Sequence, residues 1–406
     1  MVQSKPLDVF SADGGDYHNM KLLAEIQRFL DLHGLSLMPQ EVPDKRRHPS
    51  GANLVHALFE DQAAKTPHAV AVQFEQESHM TYAQLNELAN AVARQLVCGR
   101  GTIVPICMDR SINMIVSLLA VMKTGAAYVL VSPEYPLARK QFILQDTNAP
   151  FVLVDAINQG TVGGGSGGRP GPSEVVIEKL IADAADNPAS HRLNLDYHQS
   201  PSDLAYIIYT SGTTGRPKGA MLSHLAACSG LLALPRPEKH SPLRQLLCHS
   251  PVFSAAQRTI LGTLVRGGTL CLASKENVTT GLIQTIRDMK IESLEITPTM
   301  LRLLTPEQLP ESIKKITLGG ESVSTGLAAV WADKVELYSA YGLSECTQVF
   351  SSLFLYHSSS PLPFFFLLSG FFLFFFFRFR FRFRLLFTSR LSPRFLLFPF
   401  PQPNLT

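Results

Sequence analysis

The sequence predicts an α/β fold of helix-flanked, mainly parallel β-sheets with a smaller β-rich part near the end. Three observations carry that prediction. Short β-branched and aromatic runs alternate with longer amphipathic or apolar segments from Asn53 onward, which is the pattern of βαβ units. Apolar residues make up 46% of the 406 residues, enough to bury a sizeable core in more than one subdomain. The run Leu204 to Tyr209 reads as a buried strand and opens directly into a loop of hydroxyls and glycines.

Taken in order, residues 1–50 are polar and interrupted by Gly14, Gly15, Pro39, Pro43 and Pro49. Leu22, Leu23, Ile26, Phe29 and Leu30 recur there at helical spacing, so a leader with one helix is expected. A helix through Leu54, Leu58 and Phe59 follows, stopped by Pro67, and then AVAVQF (69–74) reads as a strand. Thr81 with Gln84 makes a capping box ahead of Leu85, Leu88, Val92 and Leu96. Ile112 to Met122 is apolar nearly all round, which predicts a helix buried between layers, and Gly125 ends it. Phe151 to Val154 is a strand, whereas TVGGGSGGRPGP (161–172) is a glycine- and proline-rich stretch expected as a disordered surface insertion without chemistry.

The chemistry is concentrated after Tyr209. Thr210, Ser211, Gly212, Thr213, Thr214 and Gly215 put four hydroxyls and two glycines into six positions, and glycines let backbone N–H groups turn toward an anion without a Cβ in the way. Pro217 fixes the exit, and Lys218 adds a cation where a triphosphate's charge would lie. A linker would not follow a strongly apolar strand or end in one proline and one lysine. A Walker A loop is excluded because Lys218 is followed by Gly219, not Ser or Thr.

YTSGTTGRPKG (209–219) resembles the phosphate-loop signature of the adenylate-forming enzymes, the superfamily of acyl-CoA synthetases, luciferases and nonribosomal peptide synthetase adenylation domains. MTYAQLNELANAVARQL (80–96) and MKTGAAYVLVSPEYP (122–136) resemble the first two core motifs of peptide synthetase adenylation domains. FSAAQRTILGTLVRGG (253–268) resembles the fourth, with Ser254 where the family has an Asp that pairs with the α-ammonium of an amino acid, a contact worth roughly 1.5–3 kcal/mol. EITPTM (295–300) and ITLGGES (316–322) resemble the remaining pocket wall and the adenine edge, the latter implying roles for Gly319, Gly320 and Glu321. YSAYGLSECT (338–347) resembles the fifth motif, implying that Tyr341, next to Gly342, stacks on adenine and that Glu345 holds Mg²⁺. Ser339 replaces an Asn that contacts adenine, and Leu343 replaces a Pro.

Carried over by position, the resemblance implies Lys218, Thr214 and Glu345 as catalytic groups and ATP with Mg²⁺ as cofactors. It implies a substrate pocket lined by Ser254, Ala255, Arg258, Thr299, Thr317, Gly319, Ala340 and Gln348. The fold implied is the large N-terminal subdomain of the adenylate-forming enzymes, spanning 51–348, without the C-terminal mobile subdomain and its catalytic Lys. The reaction implied is activation of a carboxylic acid to an acyl-adenylate for loading on a carrier-protein phosphopantetheine; this chain by itself is expected to show little activity. The rival class is a non-catalytic nucleotide-binding fragment or pseudoenzyme, favoured by Ser254 and Ser339. Ser254 also suggests an acid lacking an amine, and Arg258, one helical turn later, is expected to add like-charge repulsion against an ammonium.

No Asp or Glu follows Glu345 while six arginines do, so residues 1–345 hold 30 basic and 33 acidic side chains and nucleic-acid binding is not indicated. Cys98, Cys107, Cys228, Cys248, Cys271 and Cys346 form no CxxC pair, and the first residues carry no apolar signal-peptide core. A cytoplasmic protein is expected. Residues 349–406 hold 18 of the 25 phenylalanines in a low-complexity Phe/Leu/Ser/Pro/Arg tail. Leu362 to Phe377 admits a membrane-anchor reading, but codon logic favours translated intron: these residue types share pyrimidine-rich codons, and Val349 begins with GT.

Overall fold

The computed structural model describes residues 53–163, 171–185, 193–196, 198–211, 216–233, 243–344 and 351–355. The leader helix, residues 164–170 of the insertion and Leu362 to Phe377 lie outside them. The described chain begins with α1 (Val55–Lys65), the hairpin β1 (Val70–Phe74) and β2 (Ser78–Thr81), and α2 (Tyr82–Gln95). It continues through β3 (Ile103–Cys107), α3 (Ile112–Thr124), β4 (Ala127–Leu130), α4 (Leu137–Asp146), β5 (Phe151–Val154), β6 (Ser173–Val176) and α5 (Ile177–Ala185). Then come β7 (Leu204–Thr210), β8 (Lys218–Ser223), α6 (His224–Ala233), β9 (Arg244–Leu246), α7 (Ser254–Leu264), β10 (Thr269–Leu272), α8 (Lys275–Thr279) and α9 (Leu282–Asp288). Last are β11 (Ser293–Ile296), α10 (Pro298–Leu301), β12 (Lys315–Gly319), α11 (Thr325–Trp331), β13 (Glu336–Tyr341) and β14 (Ser351–Leu355).

The strands form two sheets. One has eight strands in the order β14-β13-β12-β11-β9-β10-β1-β2, parallel except at its two edge pairs. The other has six in the order β6-β5-β3-β4-β7-β8, parallel except for β7 with β8. Neighbours that are not consecutive in sequence demand crossovers, which the helices supply. Strand β14 lies past residue 348, so the eight-stranded sheet extends beyond that point.

Three cores define five layers. The largest joins Val72, Leu270 and Leu272 of the eight-stranded sheet to Val104, Ile106, Tyr128 and Tyr206 of the six-stranded one, through helices α1, α2, α3, α6 and α7. Trp331, Ile286 and Leu301 cover the far face of the larger sheet, and Ile143 and Leu144 of α4 the far face of the smaller. The local signals behave as their chemistry requires. Gln84 N–H donates to Thr81 Oγ1 while Thr81 N–H donates to Gln84 Oε1, closing the capping box of α2. Ser111 caps α3, and Gly125 ends it at φ 93°, a left-handed conformation that favours glycine. Gly268 is required for a different reason: a Cβ there would lie 2.8 Å from Leu243 O.

Helix α3 has 11 of its 13 residues buried and touches β3 and β4 of one sheet and β1 of the other. That burial includes Lys123, whose ammonium pairs with buried Glu60 of α1 and donates to Asn86 Oδ1 of α2 at 2.8 Å. Burial pulls the lysine down to about 8 and pushes Glu60 upward, and their contact opposes both shifts. Beside this pair the imidazole of His224 accepts from Val55 N–H at 3.2 Å and meets His56 edge to face, with ring centroids 5.3 Å apart. Both rings are fully buried. No helix among the described residues is long and apolar enough to cross a membrane.

The histidine pair makes stability fall with acid. Burial holds His56 well below 6.5 and His224 at about 4, so between 6.5 and 4 the unfolded chain binds protons that the folded protein refuses. Stability should drop by about 1.4 kcal/mol per pH unit for His224 in that window, with His56 adding to the fall in the same direction. Urea midpoints should decline from pH 7 to pH 5, and His224→Asn should lower the midpoint at pH 7 yet flatten the decline. An unchanged slope in the variant would refute the assignment.

Candidate functional site

The carboxyl ends of both sheets share one rim. Arg110, just past β3, donates from Nη2 to Cys248 O and His249 O, each at 3.1 Å, just past β9. Lys275, past β10, donates to Glu134, past β4, at 2.6 Å. The second contact is exposed on both sides and contributes little energy, but it confirms the polarity. In open α/β sheets this rim is where ligands bind, because the connections diverge there and leave a crevice.

One wall comes from the smaller sheet. Strand β7 is apolar and buried up to Tyr209, whose hydroxyl donates to Asp146 at the end of α4 at 2.5 Å. Thr210 then pairs across the ladder with Lys218, the first residue of β8. Thr210 and Lys218 therefore stand side by side at the strand ends, and both Lys218 and Ser211 are exposed. Gly219 lets β8 pass close to β7, since a Cβ would lie 3.0 Å from Ile207 Cγ2. Gly212, Thr213, Thr214 and Gly215 lie outside the described residues.

The other wall is one face of the larger sheet. Parallel partners project to the same side, and the registers Glu295–Thr317–Tyr338 and Gly319–Ala340 put these five residues on one face. Helix α7 stands on that face, and its first residue, Ser254, accepts from the hydroxyl of Ser344 at 3.4 Å. Ala255 is half-buried beside it. Five expected pocket positions, Ser254, Arg258, Thr317, Gly319 and Ala340, thus meet between α7 and β11–β13. Thr299 sits at the rim, where its N–H and hydroxyl donate to Glu321 at 3.1 and 2.6 Å. The Thr299 hydroxyl beside Glu321 holds that carboxyl below its ordinary value. Glu321, expected at an adenine edge, spends its carboxylate on positioning Thr299.

Gly320 turns the chain at φ 83°, and exposed Gly342 follows the end of β13 at Tyr341. Ser339 points away from the Gly319–Ala340 face, because side chains alternate along a strand and its register partner is Leu318. Glu345 and Gln348 lie outside the described residues.

Arg258 corrects the repulsion expected of it. Its guanidinium pairs with the carboxylate of Glu295, to which Thr259 also donates at 3.2 Å, and both partners are over nine-tenths buried. The cation is matched on the spot and does not stand against an incoming ammonium. Sequence reasoning named neither Glu295 nor Thr259. The available signal was a lone acid in the otherwise apolar strand SLEI, because a buried carboxylate needs a charged partner.

Breaking that pair should cost more than removing it. Arg258→Met leaves a buried carboxylate without its countercharge and should lose about 3–5 kcal/mol by urea unfolding. Arg258→Met with Glu295→Leu should recover most of the loss; strict additivity of the two substitutions would show that they do not interact.

Known proteins share this sequence pattern and fold. A family model described as "AMP-binding enzyme" matches residues 59–364. The chain is 41% identical over 326 residues to nonribosomal peptide synthetase 7 of Aspergillus fumigatus, covering 80% of this chain and 13% of that protein. It is 37% identical over 302 residues to nonribosomal peptide synthetase sidE of the same organism, covering 74% of this chain and 14% of that protein. The chain thus spans about an eighth of the length of these relatives. Among solved structures, the N-terminal subdomain of NpsA from Klebsiella oxytoca superposes with a TM-score of 0.67 at 24% identity, over 78% of this chain and 81% of that one, a likeness of fold.

Proposed function

Since the chain belongs to the AMP-binding enzymes, a ligase-type adenylate-forming family, we propose that it activates a carboxylic acid with ATP to an acyl-adenylate and pyrophosphate. The observation that carries the reading is the pairing of Thr210 with Lys218 at the carboxyl end of β7, which brackets the hydroxyl- and glycine-rich loop on the rim that also bears the Ser254 face. The donors suit a polyphosphate: an exposed ammonium on Lys218 and hydroxyls on Thr210 and Ser211. ATP would supply the α-phosphoryl group that the carboxylate takes up, with Mg²⁺ held by Glu345. Lys218 and the loop groups, Thr214 included, would neutralise phosphate charge as it develops. Gly319 and Ala340 leave room for the acid beside α7, and Gly320, Tyr341 and Gly342 would frame the base. Thioester loading on a carrier-protein phosphopantetheine would follow in the whole synthetase.

The amine-lacking acid is the finer part of the proposal, and with Arg258 neutralised it rests on Ser254 alone. A serine hydroxyl already engaged by Ser344 offers no countercharge to an α-ammonium, so aryl, hydroxy or keto acids avoid a desolvation cost that amino acids would bear. Ser254 and Ser339 also favour the second reading, a nucleotide-binding unit without catalysis.

Lys218→Ala and Thr214→Ala should each weaken ATP binding by about tenfold with little change in thermal stability, since in this reading both groups would bind phosphate and Lys218 is exposed. Unchanged affinity with lowered stability would make the loop structural. Pyrophosphate exchange on the full-length synthetase, screened against amino and non-amino acids together, should favour the latter. A clear preference for an ordinary α-amino acid would sink the substrate class, and silence toward every acid with ATP binding intact would favour the non-catalytic unit.

A further inference from the structure

The face that carries the expected pocket continues one row deeper than any residue the motifs point to. From the rim inward, Gly319 with Ala340 is almost bare of side chain, Glu295–Thr317–Tyr338 forms the next row, and Ser293–Lys315–Glu336 the third. Alternation puts the Lys315 side chain on this same face. Its ammonium lies over the Tyr338 ring, 4.6 Å from the centroid, which brings it up to the second row. Both residues are half-buried.

The charges around this floor do not cancel. Arg258 is matched by Glu295. Among the described residues no carboxylate lies within ion-pair distance of Lys315. Glu336, its register partner, attracts it from farther away, while Arg266 and Arg258 repel it. We propose that Lys315, held over Tyr338, forms a distal subsite for an acidic group at the far end of the substrate, so that the acid activated carries a second carboxylate or a comparable anion. The inference rests on the reading of this face as the acid pocket. Burial, the first cause, and the two arginines pull Lys315 down to about 8, which leaves it mainly charged at neutral pH and short of a partner. An incoming anion would supply that partner, whereas an alkyl terminus would leave the ammonium desolvated and unpaired.

The test uses the full chain and three probes: AMP, and 5′-O-sulfamoyladenosine acylated with either terephthalic acid or 4-methylbenzoic acid, which differ in a distal carboxylate against a distal methyl. The parent should bind the terephthaloyl conjugate at least about tenfold more tightly. Lys315→Met should abolish that preference while keeping AMP binding and affinity for the methyl conjugate within about twofold, and Lys315→Arg should restore it. AMP binding with no preference for the carboxylate, or a preference that survives Lys315→Met, would overturn the subsite alone. Failure of the folded parent to bind AMP or either conjugate would overturn the acid-activating reading and the subsite with it.

Discussion

The structure depends on a lysine that has nowhere to be wet. Helix α3 is enclosed by both sheets and by α1 and α2, and Lys123 near its end is fully buried. An unmatched ammonium there would cost several kcal/mol. Glu60 and Asn86 satisfy it, and in doing so tie α1, α2 and α3 into one block on which the sheets close from either side. Buried His56 and His224 lie beside this block and link α1 to the start of α6. The largest core runs through all of these elements, with these few polar contacts enclosed inside an apolar layer.

That arrangement is what makes a site. Each sheet alone would present a row of strand ends. Because α3 holds them with the same polarity, as the contacts of Arg110 and Lys275 show, the strand end after β7 lies on the same rim as the ends of β11–β13. Helix α7 then packs on part of the β11–β13 face through the Arg258–Glu295 pair, and Gly319 and Ala340 lie nearest the rim on that face.

Electrostatics inside the crevice follow from pairing more than from composition. Arg258 and Lys315 carry the same formal charge on the same face. One is paired with a carboxylate within contact and packed away, and the other lies over an aromatic ring with, among the described residues, no carboxylate in ion-pair contact. In a partly dry site that difference outweighs the count of positive residues, since interactions strengthen as water leaves.

What the sequence determined by itself were features whose partners lie close along the chain. The Thr81–Gln84 capping box, the buried helix ended by Gly125 and the strand Leu204–Tyr209 were all legible, because helix caps and apolar strand runs involve neighbours and impose residue types at fixed spacing. Only the tertiary structure decided which charges are spent. Glu60 and Lys123 are 63 residues apart and Arg258 and Glu295 are 37 apart, and no periodicity connects them. Their pairing exists because helices and strands from distant segments pack side by side, α1 against α3 in one case and α7 against β11 in the other. That packing matched Arg258 with Glu295 instead of leaving it a repelling charge, and the strand register turned Ser339 away from the Gly319–Ala340 face and put Lys315 beside Tyr338 on it.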